Sequence, residues 1–499
     1  MGRYDVTVIG GGAGLMVVEA AIKEGLKTCI IEEAKFGGTC LTKGCIPSKI
    51  LVAPADLIRE AQRAKKIGLE FQKPTIKWDI TAERMWGQIN LSKRVEEKFR
   101  KAKNVQVLKG RGEFIDPNTM KVTEADGNEV IIESDVFVVA SGARTFIPPI
   151  SGFEDLDYVT AENFFGDRFP EKPWKSVLLL GGGAIGAEFA HIFSAMGAEV
   201  DLIEMKSRIL LTEEESISEF TKSVFEDNGI RVHLDSQVIG GEKTPNGKSL
   251  LVKNTLTGEE KTLQGDEIFV AAGLVSNGDR INLERAGVET DSRGYIITDK
   301  YMRTSQSHIW ALGDINGKFQ FRHKANYEAD LVIHNLIKKA SPMKEADYDT
   351  VPWAIFTYPQ IAHVGATEEQ VKKMGKPYYM GINKYSRVAG GVALGYDRGD
   401  SDDGFIKILV NQEKQIQGVH VVGPQASILV QPFVYLMNNK EKCSWSNLKE
   451  KEPKSSEFDE LRIMCPELGK YTPIHHSMVI HPSLNELTAW VLNRLELKE

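Results

Sequence analysis

The sequence predicts an α/β protein, and three observations carry that prediction. Twice in 499 residues a short apolar strand runs into a glycine-rich turn and an alanine-containing helix, at residues 6–21 and again at 176–190. Each time a further strand follows and ends in a glutamate, Glu32 and Glu204. From about Tyr348 the pattern changes to strand-rich, hairpin-like alternation through residues 405–409 and 417–422. A strand, glycine turn, helix, strand and acid in that order make the fingerprint of a dinucleotide-binding unit. The expected architecture is therefore two Rossmann-like dinucleotide-binding domains followed by a C-terminal α+β section.

Bulk properties narrow the function classes. A chain of this length needs more than one core, roughly two to four domains. Its 62 basic and 69 acidic residues leave a net charge of −7, which favours neither a nucleic-acid nor a membrane partner. Residues 1–4 run directly into the first strand, no apolar run reaches the roughly 18 residues of a membrane span, and a cytoplasmic location is expected. Five cysteines do not make a disulfide framework, so any bridge in a reducing compartment would be catalytic.

Taken in order, residues 6–9 form a buried strand, and Gly10 allows the tight turn after it. Gly12 lets the backbone approach a pyrophosphate at the helix N-terminus. Leu15 stands where a third glycine is usual, with Gly14 one residue earlier, which leaves open how closely this helix meets its sheet. Strand 28–31 ends in Glu32, placed to accept a hydrogen bond from a ribose, and Cys29 within it reads as core.

Residues 36–49 follow, with Cys40 and Cys45 five apart. On an ideal helix that spacing is about 7.5 Å along the axis, whereas a disulfide needs Cα atoms closer than about 7 Å. The two can bridge only across an irregular turn, which Gly37, Gly38, Gly44 and Pro47 would permit. Two unpaired buried cysteines are the alternative, and a metal site lacks further ligands nearby. Residues 53–66 and 81–103 have helical periodicity.

The second fingerprint has all three glycines, Gly181, Gly183 and Gly186, with Ile185 between the last two, and its strand 199–203 ends in Glu204. Two fingerprints imply two dinucleotides, FAD on the first and a nicotinamide cofactor on the second. Glu204 would hydrogen-bond a free 2′-hydroxyl and repel a 2′-phosphate, which favours NAD. Lys206 and Arg208 are basic but displaced from the strand end.

Residues 37–49, Gly-Gly-Thr-Cys-Leu-Thr-Lys-Gly-Cys-Ile-Pro-Ser-Lys, resemble the active-site signature of the flavin disulfide reductases. These are the class I pyridine nucleotide-disulfide oxidoreductases, among them dihydrolipoamide dehydrogenase, glutathione reductase and mycothione reductase. The resemblance implies an FAD-binding domain at 1–148 and 274–348, an NAD-binding domain at 149–273 and a dimerisation domain at 349–499, hence a homodimer. It implies that Cys40 is the interchange thiol and Cys45 the flavin-facing one, and that Gly38 and Thr39 lie on the FAD. Lys49 approaches the flavin and pairs with Glu188, and Gly112 contacts FAD through its backbone. Ser141 and Gly142 match the Ala-Thr-Gly element with serine for threonine. By the same resemblance Asp314, ending the strand that begins at Ile309, would hold the ribityl chain, and Gly273 lies in the return from the nicotinamide domain. His481, in His-Pro-Ser-Leu-Asn-Glu, serves as acid/base for the thiols of the partner subunit and is oriented by Glu486. His475 and His476 lack that context, and His323 reads as an orienting or core residue. In NADPH-using relatives arginines stand where Met205 and Leu211 stand here.

The expected function is dihydrolipoamide dehydrogenase, oxidising a small-molecule or lipoyl-domain dithiol with NAD. Residues 274–277, 322–326 and 425–432 look closer to mycothione reductase, so another low-molecular-weight disulfide remains an alternative. A third reading is an electron-transfer subunit that docks through the charged insertion at 438–472, which carries Cys443 and Cys465. Mercuric reductase and large thioredoxin reductases are disfavoured because the tail, residues 492–499, has no cysteine pair.

Overall fold

The computed structural model of the chain describes residues 2–438, 470, 471, 474 and 483–498. His475, His476, His481, Cys443, Cys465 and nearly all of the 438–472 insertion lie outside the described residues. The chain divides into two compact units. One comprises Met1–Ile58, Lys73–Ile209 and Gly229–Tyr348; the other comprises Arg59–Gln72, Leu210–Asn228 and Asp349–Glu499.

The first unit contains the same design twice. In one sheet the strands β1 (Gly2–Ile9), β2 (Thr28–Ile31) and β3 (Val105–Leu108) run parallel, in the order β3-β2-β1. The long strand β6 (Glu129–Val139) continues the parallel order beside β1, and Ile309–Ala311 pairs with its C-terminal half. An antiparallel meander, β4 (Gly110–Asp116) and β5 (Thr119–Glu124), pairs with the N-terminal half of β6. Val6, Thr7, Val8 and Ile9 are all buried, as expected of a strand covered on both faces. The second sheet is wholly parallel, with Arg231–His233, Glu199–Ile203, Ser176–Leu180, Glu267–Val270 and Val159–Thr160 in that order. A three-stranded antiparallel meander, 236–265, accompanies it.

Helix α1 (Gly14–Lys23) follows the first glycine turn, and Leu15 makes a local difference there. Its first turn closes through Leu15 N–H to Gly12 O at 3.3 Å and Met16 N–H to Ala13 O at 3.0 Å, bonds three residues apart. Packing is nonetheless close, because Gly14 takes the tight contact. A Cβ there would stand 2.7 Å from Val8 Cγ1. In the second unit of the pair, Gly186 fills that role, since a Cβ there would stand 1.9 Å from Gly181 O.

The periodic segment expected at 53–66 is longer than its periodicity. Helix α3 spans Cys45–Arg63, starting eight residues earlier, and a 3₁₀ turn Ala64–Ile67 follows. Pro47 sits in its first turn, where a missing N–H costs nothing. The periodic stretch 81–103 is two helices, Trp78–Ile89 and Leu91–Arg100.

The second unit is built on a six-stranded antiparallel sheet, ordered Trp353–Ile355, Ile361–Gly365, Ile416–Val422, Phe405–Asn411, Tyr378–Lys384 and Glu496–Lys498. Phe405–Asn411 is buried almost throughout instead of alternating. Ile406, Ile408 and Val410 pack with Phe433 and Leu487 from helices, while Leu409 packs with Val371 and Tyr378. Among the described residues no helix is long and apolar enough to cross a membrane, and no group of three or more His, Cys, Asp or Glu side chains could hold a metal ion.

Candidate active site

The first glycine turn opens onto a cleft of about 480 Å³. Gly10, at φ +107°, sits so close to the neighbouring strand end that a Cβ would lie 2.2 Å from Ala140 O. Glu32 caps the turn: its carboxylate accepts from Gly11 N–H at 2.5 Å and from Ala34 N–H at 2.6 Å. Gly12 meets Gly38 backbone to backbone, and a Cβ on Gly38 would stand 2.7 Å from Gly12 Cα. The cleft brings together most of the expected FAD residues, namely Gly10, Gly12, Glu32, Gly38, Thr39, Gly112, Ser141, Gly142 and Asp314, with both cysteines. Gly14 lies behind the turn, against Val8. The Ser141 hydroxyl is buried and has no hydrogen-bond partner among the described residues. A wall of bare backbone, a free N–H-rich turn at a helix N-terminus and an orphaned hydroxyl fit an extended, phosphate-bearing cofactor such as FAD.

Cys40 and Cys45 lie on different helices. Gly37 and Gly38, at φ +100° and +63°, start the five-residue helix α2 (Gly38–Thr42) in a conformation other residues rarely adopt. The helix stops at Lys43 (φ −152°), and α3 restarts at Cys45. The irregular turn anticipated from the spacing is therefore present. It brings two free thiols within hydrogen-bonding reach of each other. The hydrogen bond from Cys40 and the nearby Lys49 ammonium outweigh burial and lower the Cys45 thiol to about 7. The same hydrogen bond, with burial, raises Cys40 far above the ordinary thiol range, against a lowering by Arg322 and Lys49. One proton is thus held on Cys40 while Cys45 carries the charge. Lys49 Nζ stands 2.8 Å from Glu188 Oε2, an ion pair across 139 residues of chain. A second link between the same helices, His191 Nε2 to Asp56 Oδ1 at 2.8 Å, had no sequence signal beyond two polar residues on apolar faces.

Beneath Asp314 lies a buried polar network that sequence reasoning missed. Lys324 and Glu328 are both fully buried and pair at 3.0 Å. Glu328 also accepts from Gly313 N–H at 2.7 Å and Asn316 Nδ2 at 2.8 Å, while Lys324 donates to Gly313 O at 3.1 Å and Asn316 Oδ1 at 2.7 Å. Both side chains thus clamp the 3₁₀ turn Gly313–Asn316 that presents Asp314 to the cleft. Burial pushes the Asp314 carboxyl above its ordinary value, with Lys324 opposing. The one available signal was Lys and Glu four residues apart in a helix, a spacing far more common on surfaces. Arg322, overlooked beside His323, also lines the cleft. His323 itself stacks on Phe321 with ring centroids 5.4 Å apart.

The second turn repeats the first. Gly181 has φ +103°, and a Cβ there would lie 2.3 Å from Ala271 O. The Glu204 carboxylate accepts from Gly182 N–H at 2.7 Å and Lys206 N–H at 2.9 Å. Gly183 faces open space, Ile185 is exposed in the first helical turn, and Gly273 (φ +121°) likewise has nothing within 4 Å of an added Cβ. Met205, just past the strand, is exposed.

In the other unit, Glu486 is buried in the first turn of helix Asn485–Trp490, where its carboxylate accepts from Ser483 N–H at 3.3 Å. His481, the residue it was expected to orient, lies outside the described residues.

Comparison with known proteins identifies the family. Residues 4–329 match the family model described as pyridine nucleotide-disulphide oxidoreductase, and residues 351–447 match that family's dimerisation domain. Mycothione reductase of Mycobacterium tuberculosis is 32% identical over 446 residues, covering 88% of this chain and 93% of the relative. Dihydrolipoyl dehydrogenase 2, mitochondrial, of Arabidopsis thaliana is 32% identical over 445 residues, covering 87% and 84%. The solved Cu(II) complex of the HOCl-induced flavoprotein disulfide reductase RclA from Escherichia coli superposes with a TM-score of 0.80 over 99% of each chain at 21% identity, a likeness of fold. The chain belongs to the class I pyridine nucleotide-disulfide oxidoreductases, flavin-dependent enzymes that act on sulfur groups.

Proposed function

We propose that this chain is an NAD(H)-dependent dithiol/disulfide oxidoreductase whose substrate is dihydrolipoamide, acting as a homodimer. The observation that carries the reading is the Cys40 and Cys45 pair in the cleft beside the first glycine turn, with one thiol lowered to about 7 beside Lys49. The preference for NAD rests on Glu204, whose fixed carboxylate favours a ribose hydroxyl and repels a 2′-phosphate. We assign residues 1–148 and 274–348 to FAD, 149–273 to NAD and 349–499 to dimerisation.

FAD would be held by the Gly10 and Gly12 turn, Glu32, Gly38, Thr39, Gly112, Ser141, Gly142 and Asp314. When bound, it supplies two-electron exchange between the nicotinamide and the cysteine pair. The chain's own residues do the sulfur chemistry. With the pair oxidised, a substrate thiolate attacks Cys40 Sγ and the Cys40–Cys45 bond breaks. Cys45 leaves as the thiolate that Lys49 favours, and a low-pKa thiol leaves faster. The second substrate thiolate attacks its own chain's sulfur in the mixed bond, and Cys40 departs. The substrate leaves as a disulfide, its two electrons now on the reduced pair. In this reading His481, held by Glu486, accepts the substrate proton and returns one to Cys40.

Anaerobic reduction of NAD by dihydrolipoamide tests the proposal, with NADP as the competing acceptor. Fast turnover with NAD, lost in Cys45→Ser, supports it. A second reading is a mycothione reductase-like enzyme for another low-molecular-weight disulfide; mycothione reductase is as similar to this chain, at 32% identity, as dihydrolipoyl dehydrogenase 2, and residues 274–277, 322–326 and 425–432 look closer to it. Reduction of the flavin and the pair by NADH without lipoamide turnover would select it. Preference for NADP would overturn the role given to Glu204.

A further inference from the structure

We propose that the second unit carries an anion-binding pocket, separate from the redox site, for a small organic molecule bearing two or more clustered phosphate or carboxylate groups. The pocket, about 390 Å³, is lined by Lys384, Ser386, Arg387, Arg398, Gly399, Asp403 and Arg494. Four cations face one carboxylate, in a chain whose net charge is −7. Nothing assigned to the thiol chemistry lies among them.

That one carboxylate is already engaged. The Asp403 side chain is fully buried and accepts from Ser386 N–H at 2.9 Å and Ser386 Oγ at 2.7 Å, with Lys384 Nζ at a loose 3.8 Å. This latch holds the 3₁₀ turn Tyr385–Arg387, from which Arg387 projects. The sequence around Arg398 is acidic, yet two of its carboxylates are paired with cations of helix α3 and the 3₁₀ turn after it. Asp400 pairs with Lys66 at 2.6 Å, and Asp402 pairs with Arg63 at 2.9 Å and Lys66 at 2.8 Å. Arg63 also donates to Leu394 O and Gly395 O and lies 3.5 Å over the Tyr396 ring, so the loop carrying Arg398 is tied down on one side.

Arg494 reaches the same place because of Gly381. A Cβ on Gly381 would lie 2.8 Å from Val491 O and 3.3 Å from Arg494 O, so the turn Val491–Arg494 rests directly on the strand that ends in Lys384. Arg387, Arg398 and Arg494 make no ion pair or side-chain hydrogen bond among the described residues. Like charges held together by a preformed frame repel one another until an anion arrives. Guanidinium forks match phosphate and carboxylate oxygens two at a time. A single inorganic ion would leave most of the volume unfilled, which points to a larger molecule with several anionic groups.

The test is calorimetric titration of the full-length flavoprotein at low salt with saturating NAD, so that the nicotinamide site is occupied. Pyrophosphate and citrate are the probes, and whichever binds more tightly separates phosphate from carboxylate chemistry. Saturable one-to-one binding is expected, weakened about tenfold by Arg387→Ala or Arg494→Ala and abolished in the double variant. Flavin content and the thermal midpoint report whether each variant folds, and the exposed Arg398→Gln supplies an independent weakening if the double variant does not. Absence of saturable binding of both probes, or binding unchanged by R398Q and by R494A, would overturn the proposal.

Discussion

The two glycine turns of the first unit are nearly superimposable in their bonding and differ in what surrounds them. In both, the first glycine N–H bonds the carbonyl ending the neighbouring strand, Gly10 to Ile31 O at 2.8 Å and Gly181 to Ile203 O at 2.9 Å. In both, a glutamate accepts from the second glycine's N–H. Around the first turn the helix lies in a mostly aliphatic cluster, and the opening leads to the cysteines. Helix Ala184–Ala195 after the second turn is buried on nearly every side, with Phe189 and Phe193 inside a cluster that includes Phe164, Phe165, Trp174 and Phe269. Two of its polar positions, Glu188 and His191, grip α3 through Lys49 and Asp56. The difference teaches that identical local motifs have divided labour: one turn opens a cleft onto the thiols, and the other anchors the helix that sets the charge beside them.

The sharpest way to break the comparison is to add a Cβ to each first glycine. Gly10→Ala is expected to yield protein without flavin, seen as lost visible absorbance. Gly181→Ala is expected to keep its flavin and lose reduction by NADH, because each Cβ collides with a carbonyl at 2.2 or 2.3 Å. Next in size is Lys324→Met, which leaves Glu328 charged and buried at a cost of about 3–5 kcal/mol. Thermal unfolding with flavin release at a lower temperature checks it.

On the role proposed for Glu204, Glu204→Ala would remove a carboxylate bond to the NAD ribose, worth about 1.5–3 kcal/mol. The KM for NADH should rise roughly ten- to hundredfold, while that for NADPH falls as the repulsion of its 2′-phosphate is removed. The smallest effect is in acidity. In the reduced protein, alkylation by iodoacetamide should rise through an inflection near pH 7, because Cys45 is a thiol below about 7 and a thiolate above it. Cys40→Ala removes the larger cause and should move the inflection up towards the ordinary thiol value, with Lys49→Met moving it less.

Much of the site was legible because its signals are local. The glycines, strand-ending glutamates and cysteine spacing each state a backbone requirement within a few residues, and the structure meets them at Gly10, Glu32, Gly37 and Gly181. The pairing of Lys49 with Glu188 was anticipated through resemblance alone, since spacing says nothing across 139 residues. Leu15 left the first helix's packing open because sequence cannot tell that Gly14 takes over the contact with Val8. The start of α3 was misplaced because Pro47 and Gly44 read as breakers, whereas a proline in a first turn is harmless.

By itself, then, the sequence determined two dinucleotide units, a cysteine pair at an irregular turn and a strand-rich C-terminal section. Backbone conformation and hydrophobic periodicity are written residue by residue. Tertiary structure alone decided which charges are spent and which are free to act. Lys324 and Glu328 became a buried clamp under Asp314, Cys45 acquired its low pKa, and Asp400 and Asp402 near Arg398 were paired with Arg63 of α3 and Lys66 of its 3₁₀ extension. A charge's effect depends on its distance to partners and on the water removed around it, and both are set only when distant segments pack.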